Sequence, residues 1–218
     1  MVNDVLVFTP VYRLEPETVQ AIMALEWDGP LSFLLQRDNP LPGDDRATGV
    51  KNHFHQYVRG RDYFLRGNYD ALLFIESDII PPPDALKKLA ALDCDVAYGC
   101  YVYRNHENPI VNIYEFYANN PVSKKQRARN MGSSLSIGDG SKWEEAKAKG
   151  IVECSGASFG CVLIKRHVME AIPMRLEGGG HCDTPWTYDA YRWGASMWAD
   201  TSVICGHKDT DGTILWPS

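Results

Sequence analysis

The sequence predicts a single α/β domain with a mostly parallel central sheet flanked by helices, and three observations predict it. Strand-like and helix-like segments alternate over residues 1–100, which is typical of parallel strands joined by crossover helices. Two of the strands, Val5–Pro10 and Ala71–Ile75, are short, continuous apolar runs, as strands covered by helices on both faces are. The chain has 218 residues, a length that suits one domain.

The first half of the chain divides into elements in a regular order. Val5–Pro10 is an apolar run that a proline ends, and the spacing of apolar residues over 17–27 then predicts a helix. A second strand at Leu31–Gln36 leads into a loop rich in Pro, Gly and Asp over 41–48. The elements that follow are a helix over 49–65, the strand Ala71–Ile75, a helix over 84–92 with prolines at its start, and a strand over 95–98.

The second half is less regular. Residues 101–150 are polar, basic and glycine-rich, with one strand at Ile110–Tyr114. We expect a flexible loop over about 118–150, because long segments of this composition are usually loops over a site. Strands over 151–154, 161–164 and 201–205 and a helix over 166–172 follow. The absence of a repeat or linker predicts one domain over 1–218.

Composition and charge exclude several classes of protein. Hydrophobic residues make up 44% of the chain and charged residues 23%, which is typical of a globular protein and not of a disordered one. The net charge of −6 provides no general attraction to nucleic acid or to an anionic membrane. We expect no transmembrane segment. A start without signal-peptide features and six scattered cysteines predict a cytoplasmic protein with reduced thiols.

The segment Glu76-Ser77-Asp78 is the first candidate for chemistry. It follows the most apolar strand of the chain, and ligands of open α/β sheets bind outside the carboxyl ends of the strands. In extended chain, residues i and i+2 point the same way, so both carboxylates can face one ligand. Carboxylate oxygens suit Mg²⁺ or Mn²⁺, which would bridge to a diphosphate.

This strand, its acidic motif and the helix after it, LLFIESDIIPPPDALKKL, resemble the D-x-D region of GT-A glycosyltransferases, in particular the family-2-like nucleotide-diphospho-sugar transferases. The resemblance implies a single GT-A domain, with a nucleotide-sugar-binding half over 1–100 and an acceptor-binding half over 101–218. It also implies that Asp78 ligates the metal, while Glu76, where the family commonly has Asp, lies near the ribose and the metal. Ser77 belongs to the same motif.

Other segments follow in the order that the family requires. Those similar to the donor-binding loops are Thr9, Pro10, Val11, Tyr12 and Arg13 after the first strand, and Asp38 and Asn39 after the second. The segment with Gly156 and Ser158 is similar to the glycine-rich turn on the acceptor side. His207 follows the last strand, as does the histidine that completes the metal site in many members. The resemblance covers residues 4–100 and 151–209.

The resemblance also implies a general base that removes the proton of the acceptor hydroxyl. In the family this acid lies about a dozen residues before a glycine, and Asp183 lies eleven residues before Gly194. Asp189 is the alternative. Cys182 stands where the family has a second acid, so a retaining mechanism stays open. Candidates for acceptor contacts are Tyr101 and Arg104 after the fourth strand and Trp186 in an aromatic-rich segment.

The predicted function is therefore transfer of a sugar from a UDP- or GDP-type donor to a carbohydrate or other acceptor hydroxyl, with Mn²⁺ or Mg²⁺ held by Asp78, His207 and Glu76. The alternatives are a nucleotide- or sugar-binding module without catalysis, a nucleotidyltransferase, and a zinc protein built on His181, Cys182, Cys205 and His207. The loop after the first strand lacks the glycines typical of nucleotidyltransferases. The donor base, the acceptor, the stereochemistry and the oligomeric state are open.

Overall fold

The computed structural model describes residues 2–43, 45–104, 110–114, 134–136, 141–177 and 180–217. The strands are β1 (Val5–Pro10), β2 (Leu31–Gln36), β3 (Ala71–Ile75), β4 (Ile79–Ile80), β5 (Val96–Cys100), β6 (Ile110–Tyr114), β7 (Ser134–Ser136), β8 (Ile151–Glu153), β9 (Gly156–Ala157), β10 (Cys161–Lys165), β11 (Met197–Ile204), β12 (Gly206–Lys208) and β13 (Ile214–Leu215). The helices are α1 (Pro16–Met23), α2 (Arg46–Arg66), α3 (Ala85–Ala91), α4 (Ser141–Lys149), α5 (Arg166–Ala171) and α6 (Asp183–Trp193).

The central sheet has seven strands in the order β2-β1-β3-β10-β5-β11-β8. Strands β2, β1, β3, β5 and β11 run in one direction, whereas β10 and β8 run antiparallel to their neighbours. The predicted α/β fold with a mostly parallel sheet is confirmed. Because the parallel strands share a direction, β1, β2, β3 and β5 all end at the same edge of the sheet.

Strand β3 shows why the central strands are continuously apolar. Leu72 and Phe74 point into the buried cluster on one face of the sheet, and Leu73 and Ile75 point into the cluster on the other face. Helix α2 covers the first face and α3 the second. A strand buried on both faces alternates its side chains between two cores, so neither face needs polar residues.

Two predicted boundaries change. Helix α2 begins at Arg46, inside the predicted loop over 41–48, because the Asp45 carboxylate accepts hydrogen bonds from the backbone N–H of Ala47 and Thr48 at 2.9 and 3.1 Å and so caps the helix. The flexible loop expected over 118–150 is wrong for 141–149, which forms α4 with Trp143 in the core. Residues 118–133 and 137–140 lie outside the described residues.

The aromatic-rich segment over 183–193 was not predicted as a helix, yet it forms α6. Asp183, the candidate base, is the first residue of this helix. The helix ends at Gly194, which has a positive φ of 106°, a conformation that glycine adopts without steric cost.

A small second sheet, β13-β12-β4, brings the end of the chain to the acidic motif. His207 pairs with Ile79, directly after Asp78, and the backbone N–H of Lys208 donates to the Asp78 carbonyl at 2.8 Å. The Lys208 ammonium is nearly buried between Glu15 and Glu17, at 2.9 and 2.7 Å. Strand β12 is therefore held by its pairing with β4 and by the ion pairs of Lys208. No helix among the described residues has the length and apolar character that a bilayer span requires.

Helix α2 contains two glycines with opposite surroundings, Gly49 and Gly60. A Cβ at Gly60 would lie 2.7 Å from the Phe8 ring, whereas a Cβ at Gly49 would meet no atom within 4 Å. Gly60→Ala is expected to lower the free energy of unfolding by about 1–3 kcal/mol, because the core must shift. Gly49→Ala is expected to raise it by about 0.5–1 kcal/mol, because alanine favours the helix. Urea denaturation measures both, and a destabilised Gly49→Ala would contradict this description of the helix.

Candidate active site

A cavity of about 490 Å³ lies at the edge of the sheet where the parallel strands end. The walls are formed by the end of β1, the segment directly after β3, the first half of α2, the start of α6 and strand β12. Among the residues predicted from the sequence, those that line it are Pro10, Tyr12, Asn39, Glu76, Ser77, Asp78, Tyr101, Arg104, Ser158, Asp183 and His207.

Six further residues line the cavity and were missed: Gly49, Asn52, His53, Gln56, Tyr103 and His181. Asn52 and Gln56 are buried on α2 beside the apolar face that carries Tyr57 and Phe64. A signal for them was present in the sequence, because polar residues on the inner face of an amphipathic helix break its apolar stripe. Tyr103 stands between Tyr101 and Arg104 after the fourth strand, so its position was a signal, and His181 was named only in the zinc alternative.

Asp78 and His207 both line the cavity, and their side chains lie close together without a hydrogen bond between them. The Nδ1–H of His207 donates to the Val102 carbonyl at 2.7 Å, which leaves the lone pair of Nε2 directed into the cavity. Nε2 lies 3.8 Å from Oδ1 of Asp78, too far for a hydrogen bond. That Oδ1 is buried and has no hydrogen-bond partner among the described residues. Both atoms are of the types that ligate divalent metals.

The electrostatics of Asp78 favour a cation. Burial and the negative charge of Glu76 raise the pKa of Asp78, and the opposing effects of His207 and Arg104 do not cancel the rise. Arg104 forms an ion pair with the other carboxylate oxygen, Oδ2, and donates from Nε to the Lys208 carbonyl at 3.2 Å. The carboxylate thus has one oxygen held by a cation and one oxygen without a partner.

Glu76 is held by helix α2. Its Oε1 accepts a hydrogen bond from the Tyr57 hydroxyl at 2.9 Å and lies 3.3 Å from Nε2 of His53. Burial raises the pKa of Glu76, but His53 and Tyr57 outweigh burial and lower the pKa to about 2. Glu76 therefore stays ionised. Its charge in turn raises the pKa of His53, against the lowering effect of burial.

Asp183 is half-buried at the first position of α6 and faces the cavity. Burial and then the charge of Glu76 raise its pKa, and the backbone N–H of Thr184, which donates to Oδ1 at 2.7 Å, lowers it in part. A carboxylate whose pKa is raised accepts protons more readily than an ordinary aspartate.

Two predictions on α6 are corrected. Trp186 is fully buried, its Nε1–H donates to the Ile172 carbonyl at 3.2 Å, and its ring packs edge-on against Phe159. It belongs to the core and cannot present a face to an acceptor. Asp189 does not line the cavity, because Arg175 holds its carboxylate at 2.5 and 3.1 Å. Of the two candidate bases, the structure brings only Asp183 to the cavity.

Other predicted residues lie beside the cavity without lining it. Thr9 and Val11 are buried behind the first strand's end, and Gly156 is buried in β9. Arg13 and Asp38 do not line the cavity either, and each forms an ion pair, Arg13 with Glu15 and Asp38 with Arg59. The described residues contain no group of three or more His, Cys, Asp or Glu that could hold a metal. They therefore form neither the zinc set of the alternative nor the predicted three-ligand set of Asp78, His207 and Glu76, and only Asp78 and His207 remain as a pair.

The wall of the cavity that contains Tyr103 and Ser158 is a chain of hydroxyls. Tyr103 contacts the hydroxyls of Ser158 at 2.5 Å and Tyr114 at 3.0 Å. Burial raises the pKa of Tyr103 far above its usual value, so the phenol stays neutral. Tyr101 packs edge-on against the His207 ring. Neutral hydroxyls and aromatic rings are suited to binding a carbohydrate.

No family model matches this chain, and no curated protein does. Solved structures are similar to it. A197 from STIV is 17% identical over 99% of this chain and 94% of that chain, with a TM-score of 0.56. TarS 1–349 from S. aureus is 14% identical over 91% of this chain and 60% of that chain, with a TM-score of 0.47. A glycosyltransferase involved in glycosylation of the major capsid of PBCV-1 is 10% identical over 77% and 63%, with a TM-score of 0.37. The likeness to A197 supports the fold.

Proposed function

We propose that this protein is a glycosyltransferase that moves a sugar from a nucleoside-diphosphate donor to an acceptor hydroxyl, with a divalent metal ion at Asp78 and His207. One observation carries the proposal. The unpartnered Oδ1 of Asp78 and the Nε2 of His207 face each other 3.8 Å apart in the wall of the cavity. The resemblance of the surrounding segment to the D-x-D region of GT-A enzymes supports the same reading.

The residues present fit a divalent metal. Carboxylate oxygen and imidazole nitrogen both bind such ions at about 2.0–2.2 Å, so two atoms 3.8 Å apart can ligate one ion. The bond from His207 Nδ1–H to the Val102 carbonyl holds the ring in the ligating tautomer, as outer partners of metal-bound histidines do. The combination of carboxylate and imidazole favours Mn²⁺ over Mg²⁺. When bound, the ion would neutralise the charge of the diphosphate leaving group.

The other residues each have a task in binding or proton transfer. His53 and Tyr57 hold the Glu76 carboxylate in place. Its position in the motif therefore does not depend on a contact with the metal. Arg104 reaches the mouth of the site and can exchange its contact with Asp78 for a phosphate oxygen. The neutral wall of Tyr101, Tyr103 and Ser158 is suited to the sugar or acceptor.

Asp183 is the proposed general base. Its carboxylate accepts the proton of the acceptor hydroxyl, and the acceptor oxygen forms a bond to the anomeric carbon. The bond between that carbon and the diphosphate oxygen breaks, and the nucleoside diphosphate leaves with the electron pair. General-base catalysis of this kind contributes about 10²–10⁴-fold to a rate.

Two readouts test the proposal. Melting temperatures are measured with UDP, GDP, CDP, ADP and dTDP, each with and without Mn²⁺, and release of nucleoside diphosphate is followed with the corresponding sugar donors. At 100 times its Kd, a ligand adds about 2.7 kcal/mol of stability, which raises Tm by several degrees. We expect at least one nucleoside diphosphate to raise Tm only with Mn²⁺, and its sugar donor to be turned over. Binding without turnover under any acceptor would favour a binding module, and no binding at all would refute the proposal.

A further inference from the structure

We propose that the hydroxyls of Ser158, Tyr103 and Tyr114 form a directed chain of hydrogen bonds that ends on the Asp183 carboxylate and positions this carboxylate as the base. Ser158 contacts the carboxylate, and the two tyrosines act through Ser158. The inference rests on the proposed function, in which Asp183 is the base, and deepens it by adding three positioning residues. The contacts along the chain, the backbone that holds them and the single proton of each hydroxyl support it.

The four side chains follow one another along one wall of the cavity. The Tyr103 hydroxyl lies 3.0 Å from the Tyr114 hydroxyl and 2.5 Å from the Ser158 hydroxyl, both within hydrogen-bond distance. The Ser158 hydroxyl forms a hydrogen bond with the Asp183 carboxylate, which lowers the pKa of Asp183 in part against burial and the charge of Glu76. Ser158, Tyr103 and Asp183 all line the cavity. An unbroken series of contacts therefore runs from Tyr114 to the proposed base.

Backbone pairing fixes the segments that carry these side chains. Tyr114 is the last residue of β6, and the first residue of β6 accepts a hydrogen bond from the backbone N–H of Tyr103 at 2.9 Å. Strand β6 also pairs with β9, which directly precedes Ser158. The Thr187 hydroxyl of α6 donates to the carbonyl of the last residue of β9 at 3.4 Å, which joins the helix of Asp183 to the same strand. The hydroxyls are thus held in place by the scaffold itself.

The ionised end of the chain decides the direction of every bond. A hydroxyl carries one proton, and an ionised carboxylate can only accept. Ser158 therefore donates to Asp183, in a charge-assisted bond that is stronger than a bond between two hydroxyls. Tyr103 must then donate to Ser158, and Tyr114 must donate to Tyr103. Hydrogen bonds aligned in this way polarise one another, so each tyrosine strengthens the bond of Ser158 to the base.

The other titratable groups around Asp183 come from four segments. They are Glu76 after β3, His53 and Tyr57 on α2, Tyr101 after β5 and His181 before α6. The charge of Glu76 raises the pKa of Asp183, and that of His181 lowers it. Removing a hydroxyl of the chain leaves all of these groups in place, so a change in the pKa of Asp183 would then report the chain.

The acid limb of kcat/KM, the fall in rate as the pH is lowered, reports the pKa of a base in the free enzyme and tests the chain. Ser158→Ala removes a donor to the charged form, so the limb should move up by about one pH unit. Tyr103→Phe keeps the ring and should move the limb in the same direction by a few tenths of a pH unit, and Tyr114→Phe by less. Tyr63→Phe, at a tyrosine 49% exposed near the end of α2, is the matched control and should keep the limb of wild type.

The double variant Ser158→Ala/Tyr103→Phe tests whether the tyrosine acts through the serine. Its limb should coincide with that of Ser158→Ala, because Tyr103 has no route to the base once Ser158 lacks its hydroxyl. Titration of the Asp183 carboxyl by carbon-13 NMR, assigned from the signal that Asp183→Asn lacks, measures the same pKa values without turnover.

The outcomes separate this inference from the proposed function. If Ser158→Ala and Tyr103→Phe kept the limb and the carboxyl pKa of wild type and raised only the KM for the acceptor, the inference would be overturned and the proposed function would stand. Shifts of the two single variants that added in the double variant would also overturn it, because Tyr103 would then act without Ser158. If wild type turned over no sugar donor, the proposed function would fall, whereas a shifted carboxyl pKa would still support the chain.

Discussion

Asp78→Asn is expected to abolish the Mn²⁺-dependent part of nucleoside-diphosphate binding and to lower the rate of sugar transfer by at least about a thousandfold. The substitution keeps the shape of the side chain and removes the charge that would hold the metal ion. Loss of such an ion removes several kcal/mol of transition-state stabilisation, and about 1.4 kcal/mol corresponds to each tenfold in rate. Titration calorimetry with Mn²⁺ and UDP or GDP measures the first effect, and a turnover assay measures the second.

The matched control is Asp84→Asn. Asp84 lies six positions further along the chain, its side chain is 45% exposed, and it pairs with Lys88 at 2.9 Å. An exposed pair of this kind contributes about 0–1 kcal/mol to stability, so this variant should bind Mn²⁺ and nucleotide as wild type does. If Asp78→Asn kept Mn²⁺-dependent binding, the pair of Asp78 and His207 would not be the metal site.

Asp183→Asn is expected to lower the rate of transfer by about 10²–10⁴-fold with little change in nucleoside-diphosphate binding, because the carboxylate acts on the acceptor proton. Burial and the charge of Glu76 raise the pKa of Asp183. The wild-type rate should therefore fall, as the pH is lowered, at a pH above the usual pKa of aspartate. The residual activity of the variant should lack this acid limb. Steady-state rates from pH 4 to 8 measure both.

The same raised pKa of Asp183 predicts that Asp183→Asn stabilises the folded state, although it lowers the rate of transfer. A group whose pKa is raised by folding stabilises the folded state when protonated, and that stability is lost as the pH rises through the raised pKa. At pH 7 the charged Asp183 therefore weakens the fold, and Asp183→Asn should raise Tm. The gain should shrink as the pH falls and wild-type Asp183 becomes protonated.

Asp189→Asn is the control in the same helix. It removes a carboxylate that Arg175 binds through two nitrogens, so it should lower Tm and leave the rate near that of wild type. Asp183 would not be the general base if Asp183→Asn kept full activity. The same would follow if Asp189→Asn were folded but inactive.

The local sequence by itself determined the central part of the fold. Strands Val5–Pro10, Leu31–Gln36 and Ala71–Ile75 were predicted with the bounds that the structure gives. The apolar runs of Val5–Pro10 and Ala71–Ile75 record burial on both faces of the sheet, which depends on residue type and periodicity. The acidic motif was found in the same way, because a carboxylate pair directly after such a strand must lie at the edge where parallel strands end.

The tertiary structure alone decided which residues meet at that edge. His207 reaches Asp78 through the pairing of β12 with β4. Asn39, which accepts a hydrogen bond from Gln56 of α2, lines the cavity, whereas Asp38, which pairs with Arg59 of α2, does not. Trp186 was predicted to contact the acceptor and is buried in the core. These outcomes depend on contacts between residues far apart in the chain, and no local pattern contains such contacts. The sequence therefore led to a proposal for the type of chemistry, whereas the assignment of each side chain to cavity or core required the packed structure.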